Sequence, residues 1–461
     1  MTGPTTAAKK ATDIGCLLDA RSIAVVGASS DPAKIGGRPI AYLLRGGYSG
    51  RIVPVNPMHP RIQGIAAVKD IRDAEPVDLA IIATPAAAAD DAVAACVQAG
   101  AKGIILFTAG YAEADMAGAG KQAELVARAQ SAGAVMLGPN CLGAINFHTG
   151  LIATFTTALE IEQPRAGGFS YFGQSGALGA YWIEMAARAG LGLGKWLSTG
   201  NEAQVNSADA LAYLANDPDT KLIAAYFEDI KDPENFAIAA DIARANGKRI
   251  IALKSGQSAA GKRAARAHTA SQPGDDGWYE ELFARHGIIR VRSLSEMIDT
   301  ATLLSSATPF PTSDRLAFVT VSGGAGILMC DSAAEVGLGI AEFSPALTDA
   351  LRTILPGFAQ PQNPIDVTGA VLSDHLLMPH ILDLLANSGE CDGIVLFIGA
   401  MDAISDTLLA AIAQVRDQGF PLTVIWMAAP AKVRPALQDL GIPLFSDIPP
   451  AMAAIAAATR G

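Results

Sequence analysis

One histidine in this sequence stands in a setting that no hydrophobic core would use. The segment Lys254-Ser255-Gly256-Gln257-Ser258, continued by Gly261-Lys262-Arg263-Ala264-Ala265-Arg266-Ala267-His268-Thr269-Ala270, is basic and built largely from Gly, Ser and Ala. It follows an apolar run at 249–253 that reads as a strand. Its side chains are too small and polar to fill a core, and such a composition suits a loop ordered by a ligand. A neutral imidazole nitrogen can attack phosphorus, and the ring titrates near neutral pH. The phosphorylated ring is anionic and is stabilised by oriented N–H donors. A carboxylate beside it would fix its tautomer, and Glu228, in Tyr226-Phe227-Glu228-Asp229-Ile230 at the end of another apolar run, is the best placed. The other histidines (His59, His148, His286, His375 and His380) have no comparable surroundings. His375 and His380 miss the i, i+4 spacing of a helical metal pair, and no metal site is expected.

An anionic intermediate needs donors. Two turns have the form strand, small residues, helix start: Phe172-Gly173-Gln174-Ser175-Gly176-Ala177-Leu178-Gly179 and Val321-Ser322-Gly323-Gly324-Ala325-Gly326-Ile327. A helix start offers unpaired N–H groups and the positive end of its dipole. Ser175 and Gly176 in one turn, and Gly323, Gly324 and Gly326 in the other, are the candidate phosphate holders.

A third turn follows the first strand: Gly27-Ala28-Ser29-Ser30-Asp31-Pro32, then Lys34-Ile35-Gly36-Gly37. Gly27 lets backbone approach a phosphate, which helix N-terminal amides can hold. The spacing is not G-x-G-x-x-G, and the second strand ends in Val55-Asn56-Pro57 where an NAD site would place an acid. Lys34 suits a phosphorylated adenosine such as coenzyme A. Thr108, in Phe107-Thr108-Ala109-Gly110-Tyr111, and Asn140, in Gly138-Pro139-Asn140-Cys141, belong to turns on the same sheet edge. Gly27, Ala28, Ser29, Lys34, Thr108 and Asn140 are thus the candidate cofactor-binding residues, and a family resemblance adds Asn56 and Pro57. Cys141 has no His or acid nearby in sequence and does not read as a nucleophile.

Such turns belong at the carboxyl ends of parallel strands. The chain repeats strand, Gly-containing turn and Ala-rich helix, the signature of α/β folds with buried, mostly parallel sheets. The first block gives strands near 22–26, 51–55, 78–83 and 103–107, and a polar, Pro-punctuated break is expected at about 145–165. The second gives strands near 167–172, 193–198, 221–227, 249–253 and 287–291. Ser305–Ser313 reads as a linker, and strands near 315–321, 392–398 and 421–426 follow. The expected domains are 13–148, 165–305 and 313–461.

Composition narrows the partners. With 34 Lys+Arg, 45 Asp+Glu and a net charge of -11, the chain repels nucleic acid and anionic lipid. No stretch is long and apolar enough to span a membrane, and the N-terminus lacks the apolar core of a signal peptide. The five cysteines form no C-x-x-C pair, which fits a reducing cytoplasm.

Several motifs, in order, resemble the ADP-forming acetate–CoA ligases, or NDP-forming acyl-CoA synthetases, relatives of the succinyl-CoA synthetase alpha subunit. They are VGASSDPAKIG, VPVNP, FTAGYAE, GPNCLGAIN, GQSGALG, STGNEAQ, YFEDIKD, KSGQSAAGKRAARAHT and NPIDVTG. The resemblance implies an N-terminal Rossmann-like CoA-binding domain followed by two flavodoxin-like, doubly wound domains. It implies that acid, CoA and ATP are interconverted with acyl-CoA, ADP or GDP, and phosphate, through acyl phosphate and a phosphohistidine. His268 matches that histidine, Glu228 the glutamate that supports it, and the turns above the CoA edge and the two phosphate-holding helix starts. The family also needs an ATP-grasp module with ATP/ADP and Mg. No region remains for it after the third domain, so a separate beta-type subunit, or a module missing from the sequence, is expected. The chain has Ala267-His268-Thr269-Ala270 where the family more often has Ser-His-Thr-Gly, and Gln204 where it often has Asp. The alternative is a non-catalytic CoA-binding or regulatory protein that keeps the fold.

Overall fold

A computed structural model gives the structure of residues 11–160, 164–269, 275–307, 309, 311 and 315–460, the side chains of 266–269 and 460 excepted. The chain forms two compact units, Met1–Arg292 and Ser293–Gly461.

The first unit opens with β1 (Ser22–Val26) and β2 (Arg51–Val55), and passes through a small ribbon of β3 (Arg61–Ile62) and β4 (Ile65–Ala66). It continues with β5 (Leu79–Ile82), β6 (Gly103–Leu106) and β7 (Val135–Leu137). These make a parallel five-stranded sheet in the order β2-β1-β5-β6-β7. A second sheet collects β8 (Gly143–Asn146), β9 (Leu151–Thr154), β10 (Ala166–Gly173), β11 (Leu193–Ser198), β12 (Leu222–Phe227), β13 (Arg249–Lys254) and β14 (Ile288–Val291). Its order is β14-β13-β12-β10-β11-β8-β9. β5, β6 and β12 are buried at every residue, which is why their sequences are continuous apolar runs with no alternation. One apolar cluster runs from Ile23 and Val25 through Phe107, Cys141 and Leu197 to Phe227 and Phe283, so the two sheets share a core. Each fully buried side chain of this size contributes roughly 1.5–3 kcal/mol.

The break expected at 145–165 is partly structured. β8 and β9 form an antiparallel hairpin that joins β11 at the edge of the second sheet. Gly143 lies at φ +106, and a Cβ there would meet the Ala153 carbonyl oxygen at 2.0 Å, so the tight pairing depends on a bare backbone. The basic stretch expected as a loop is also ordered. Residues Ala259–Thr269 are helical. Ala, Lys and Arg favour helix, and Ser258 caps it by accepting from the Gly261 N–H at 3.0 Å.

The second unit contains β15 (Leu316–Thr320), β16 (Ile365–Asp366), β17 (Gly393–Ile398), β18 (Leu422–Trp426) and β19 (Leu444–Phe445), all parallel, in the order β16-β15-β17-β18-β19. The helix Leu294–Leu304, just before the boundary expected at 305, groups with this unit. Its Leu303 shares a core cluster with Met452 and Ile455 of the helix Ile448–Arg460.

Candidate active site

Strand register decides which turns meet. Val26 pairs with Val55 and Ile82, and Ile82 with Leu106, so the residues that follow each lie along one edge of the first sheet. Gly27 sits at φ +84, with the Ala83 carbonyl oxygen 3.0 Å from where a Cβ would be. Cβ atoms on Gly36 and Gly37 would lie 2.0 Å from the Gly27 oxygen and 1.9 Å from the Asp31 oxygen. The turn is therefore packed backbone against backbone, and the helix begins only at Arg38. Several of its N–H groups are engaged internally: Ser29 donates to Gly36, Lys34 to Asp31, and Asp31 to the Ser29 hydroxyl. Ala28 is buried, and Lys34 is exposed with no side-chain partner among the described residues.

Asn56 fastens this edge. Its Nδ2 donates to the Ala28 oxygen at 2.8 Å, and its Oδ1 accepts from Met58 and His59 N–H groups across Pro57. Gln63, between β3 and β4, donates to the Ser29 and Gly37 oxygens at 3.1 and 2.8 Å and clamps the turn from outside. Thr108 donates to the Thr84 oxygen at 3.0 Å. The buried Thr84 hydroxyl itself has no hydrogen-bond partner. Close-packed glycines, an unpartnered threonine hydroxyl and an exposed lysine on one edge fit a polar, phosphorylated ligand of the CoA type. Gln63 and Thr84 were not singled out by sequence; neither stands in a glycine-rich run.

The second sheet brings together the turns that carry the other candidate residues. Gly173 pairs with Tyr226, and Phe227 with Lys254, so Gln174, Glu228 and Ser255 emerge side by side. Gln174 holds the turn after β12. Its Oε1 accepts the N–H groups of Glu228 at 2.5 Å and Asp229 at 3.1 Å, and its Nε2 donates to the Asp229 oxygen at 2.7 Å. Glu228 is 5% exposed, so it is a strand-end acid withdrawn from solvent. Asp229 accepts from the Tyr279 hydroxyl at 2.9 Å. The Lys254 ammonium lies 4.5 Å from the Tyr279 ring centre and donates to the Ser255 oxygen. Burial lowers the Lys254 pKa from its ordinary value. Ser255 accepts from the Tyr226 hydroxyl at 3.0 Å. The segment after Lys254 therefore leaves the sheet edge anchored and runs into the helix that carries position 268. The His268 side chain and Ala270 lie outside the described residues.

Ser175 is the N-cap of the helix Gly176–Arg188 and accepts from the Leu178 N–H at 3.3 Å. A Cβ on Gly176 would meet Leu142 Cγ at 2.5 Å, which presses this helix start against the turn that carries Asn140. In the second unit, Ser322 precedes the helix Gly323–Glu335. A Cβ on Gly323 would meet Asp366 Oδ2 at 3.0 Å, and one on Gly326 would meet Pro364 Cβ at 3.2 Å, while Gly324 faces open space. NPIDVTG thus packs behind the glycine-rich helix start.

A loop after β11 joins the two edges of the first unit. Asn140, at φ +57, donates to Asn201 Oδ1 at 3.2 Å. Asn201 donates to Glu113 Oε2 and, at 3.0 Å, to Gln122 Oε1. Glu113 also accepts from the Gly110 N–H at 2.6 Å. Burial opposes the Glu113 charge, but the Asn201 and backbone donors prevail and its pKa falls. Next to Asn201, the Glu202 carboxylate is 4% exposed and accepts from the Thr199 and Ser207 hydroxyls. Thr108 of FTAGYAE is expected from sequence at the cofactor edge, but Glu113 in that motif and Asn201 and Glu202 in STGNEAQ have no expected role, because their partners are remote along the chain. Gln204, the departure from Asp, accepts from the Met136 N–H at 3.0 Å and secures β7.

Other candidates recede. Cys141 is 3% exposed and burial pushes its thiol up to about 12, so it is no nucleophile at neutral pH. His286 pairs with Asp241 at 2.9 Å, and His148 with the Gly167 oxygen at 3.0 Å. A cavity of about 510 Å³ bordered by Thr12, Asp19, Lys195, Tyr213 and Asp217 lies at the amino ends of the second sheet's strands, away from the edge just described.

Known proteins resemble this chain over most of its length. Residues 21–146 match the family described as a CoA binding domain, 166–304 a succinyl-CoA ligase like flavodoxin domain, and 316–374 a Ligase-CoA domain. The chain is 32% identical over 434 residues to the acetate–CoA ligase (ADP-forming) II subunit alpha of Pyrococcus furiosus, covering 92% of this chain and 93% of that one. It is 34% identical over 350 residues to the acetate–CoA ligase (ADP-forming) of Methanocaldococcus jannaschii, where it spans 48% of the relative's length. Among solved structures, an acetyl-coenzyme A synthetase 1 of Ca. Korarchaeum cryptofilum, in complex with phosphate and ADP, superposes with TM-score 0.85 at 29% identity over 95% of each chain.

Proposed function

The chain belongs to the ADP-forming acetate–CoA ligase family, and we propose that it is the subunit that binds CoA and carries a phosphoryl group on His268. It is an acyl-CoA synthetase chain of the alpha-subunit type, and its relatives do not favour a purely regulatory role. In the direction of acyl-CoA cleavage, a phosphate oxygen attacks the thioester carbonyl and CoA leaves as thiolate, giving acyl phosphate. The His268 imidazole nitrogen then attacks phosphorus, the phosphorus–oxygen bond to the acyl group breaks, and the carboxylate leaves. A nucleoside diphosphate oxygen finally takes the phosphoryl group as the nitrogen–phosphorus bond breaks. Synthesis is the reverse.

The observation that carries this reading is the Gln174 clamp: it sets buried Glu228 beside the anchored segment that leads to His268. Glu228 would orient the imidazole, and Ser175 and Gly176 would supply oriented N–H groups to the phosphoryl oxygens; in the second unit, Gly323, Gly324 and Gly326 are the residues proposed to bind phosphate. Gly27, Ala28, Ser29, Lys34, Asn56, Pro57, Thr108 and Asn140 would form the CoA edge. The three-domain division at 13–148, 165–305 and 313–461 follows the same assignment. ATP or ADP with Mg would be held by an ATP-grasp module, on a separate beta-type subunit or a further part of the protein, in an alpha–beta assembly. Among the described residues no helix is long and apolar enough to cross a membrane, and a cytoplasmic site of action is proposed.

Incubation with radioactive inorganic phosphate and acetyl-CoA, isobutyryl-CoA or benzoyl-CoA tests the reading. Acid-labile, base-stable label is expected, lost in His268→Asn while CoA affinity stays within a few-fold. Absence of label with every acyl-CoA, with CoA still bound and an ATP-grasp partner assembled, would overturn it.

A further inference from the structure

Lys254 is withdrawn from water at a place where the sheet would accept an apolar side chain. It ends β13 opposite Phe227 of β12 and is 1% exposed. Lysines are almost never buried so deeply unless their charge is met. Here the ammonium lies 4.5 Å from the Tyr279 ring centre, within reach of a cation–π contact. Among the described residues its Nζ donates to one acceptor, the Ser255 oxygen. A methionine would fill the same space without taking a charge out of water. The lysine is therefore there for what its head group holds.

What it holds is the stem of the segment that leads to position 268. The Ser255 N–H donates to the Phe227 oxygen at 2.9 Å, and its hydroxyl accepts from Tyr226 at 3.0 Å. Gln257 Nε2 reaches back to the Lys254 oxygen at 2.9 Å. Ser258 accepts from the Gly261 N–H at the start of the helix Ala259–Thr269. A Cβ on Gly261 would lie 3.2 Å from Gly256 Cα, so the first turn of that helix seats directly on the stem. Tyr279, on the helix Asp276–His286, completes the clamp. Its ring meets the ammonium, and its hydroxyl donates to Asp229 Oδ1 at 2.9 Å. Asp229 follows Glu228, and Gln174 holds the N–H groups of both. The lysine head thus meets the stem of the histidine segment directly and, through one ring, the turn that carries the acid.

We propose that Lys254 is a positioning residue for phosphoryl transfer: its ammonium, set between the Ser255 carbonyl and the Tyr279 ring, fixes the stem of the His268 segment against the turn that carries Glu228. The inference rests on the phosphohistidine reading above. Lys254 acts on backbone and on one aromatic ring, not on a reacting atom.

Four variants of the full chain test it: Lys254→Met, Tyr279→Phe, Tyr279→Leu and the double Lys254→Met/Tyr279→Leu. Each is assayed for phosphate labelling with whichever of acetyl-CoA, isobutyryl-CoA and benzoyl-CoA labels the wild type fastest. The maximal initial rate and the acyl-CoA concentration that gives half of it are read separately, beside thermal unfolding. Lys254→Met keeps the length of the side chain and removes the ammonium. It is expected to lower the maximal rate by about 10- to 100-fold, the scale of a small misplacement of a catalytic group, with half-saturation within threefold of wild type. Tyr279→Phe keeps the ring and loses only the bond to Asp229, so a smaller fall of about three- to tenfold is expected, the worth of one hydrogen bond. Tyr279→Leu removes the ring and is expected to match Lys254→Met, and the double variant to be no slower than the slower single one. Should Lys254→Met fail to fold, Tyr279→Phe, which removes a single oxygen, carries the test. A wild-type maximal rate in folded Lys254→Met or in Tyr279→Phe would overturn the inference, as would effects that multiply in the double variant or a shift in half-saturation as large as the loss of rate. An unlabelled wild-type chain would instead remove the phosphohistidine reading, and this one with it.

Discussion

Glu228 and Asp299 are both acids withdrawn from water, with different consequences. Glu228 stands at the end of β12 with its N–H held by Gln174. Replacing it by Gln keeps the shape and removes the charge that would favour the productive imidazole tautomer. Glu228→Gln is expected to slow phosphate labelling by on the order of 10²-fold and to leave CoA affinity unchanged; a wild-type rate would take Glu228 out of the site. Asp299 lies on the helix Leu294–Leu304, where burial, with the nearby Glu296 charge, raises its pKa from 3.8 to about 6. Its folded-state pKa exceeds the unfolded one, so the stability it contributes is full below about 4 and is lost as pH rises through about 6. Asp299→Asn is therefore expected to raise the unfolding temperature at pH 8 and to lose that advantage by pH 4. Thermal melts across this range check it, and a constant difference would contradict it.

Among the elements, the turn from Gly27 to Gly37 shows how backbone contact replaces side-chain packing. Ala at Gly36 would set a Cβ 2.0 Å from the Gly27 oxygen, which is backbone and cannot swing away. Gly36→Ala is expected to weaken CoA binding at least tenfold while far-ultraviolet circular dichroism stays unchanged, since the strands on either side keep their partners. Unaltered affinity by calorimetry would mean that this turn is not the CoA edge. The helix Ala259–Thr269 teaches a different lesson. Small residues read as loop because they cannot make a core, yet alanine with Lys and Arg is good helix material on a surface that needs none.

Over the whole molecule, the boundary between the units matters most for stability. Leu303 packs with Met452 and Ile455, so the helix Leu294–Leu304 completes the core of the second unit. A fragment comprising 293–461 is expected to unfold cooperatively, whereas 313–461, lacking that helix, exposes the apolar face of the helix Ile448–Arg460 and melts lower or aggregates. Equal melting of the two fragments would show that the helix adds nothing. In the first unit, Asn140, Asn201, Glu113 and Lys231 tie the edge proposed for CoA to the edge proposed for phosphoryl transfer through one loop. Asn201→Ala is expected to weaken CoA affinity and slow labelling together, a joint loss that no variant confined to one edge gives.

The sequence by itself determined the apolar runs that become β1, β12 and β17, the glycine turns behind the strands, and the one histidine in a basic, small-residue segment. These are local properties: a fully buried parallel strand must be apolar throughout, and a turn pressed against backbone must lack a Cβ. Motif order was enough to suggest the family. What tertiary structure decided is pairing over distance. The hairpin β8–β9 is too short and mixed to announce itself, and gains its partner only when β11 is in place. Gln63, Gln174, Asn201 and Glu202 are ordinary polar residues along the chain. Their meaning comes from acceptors and donors on other strands, which hydrogen-bond geometry selects only after the sheet register has set the turns side by side.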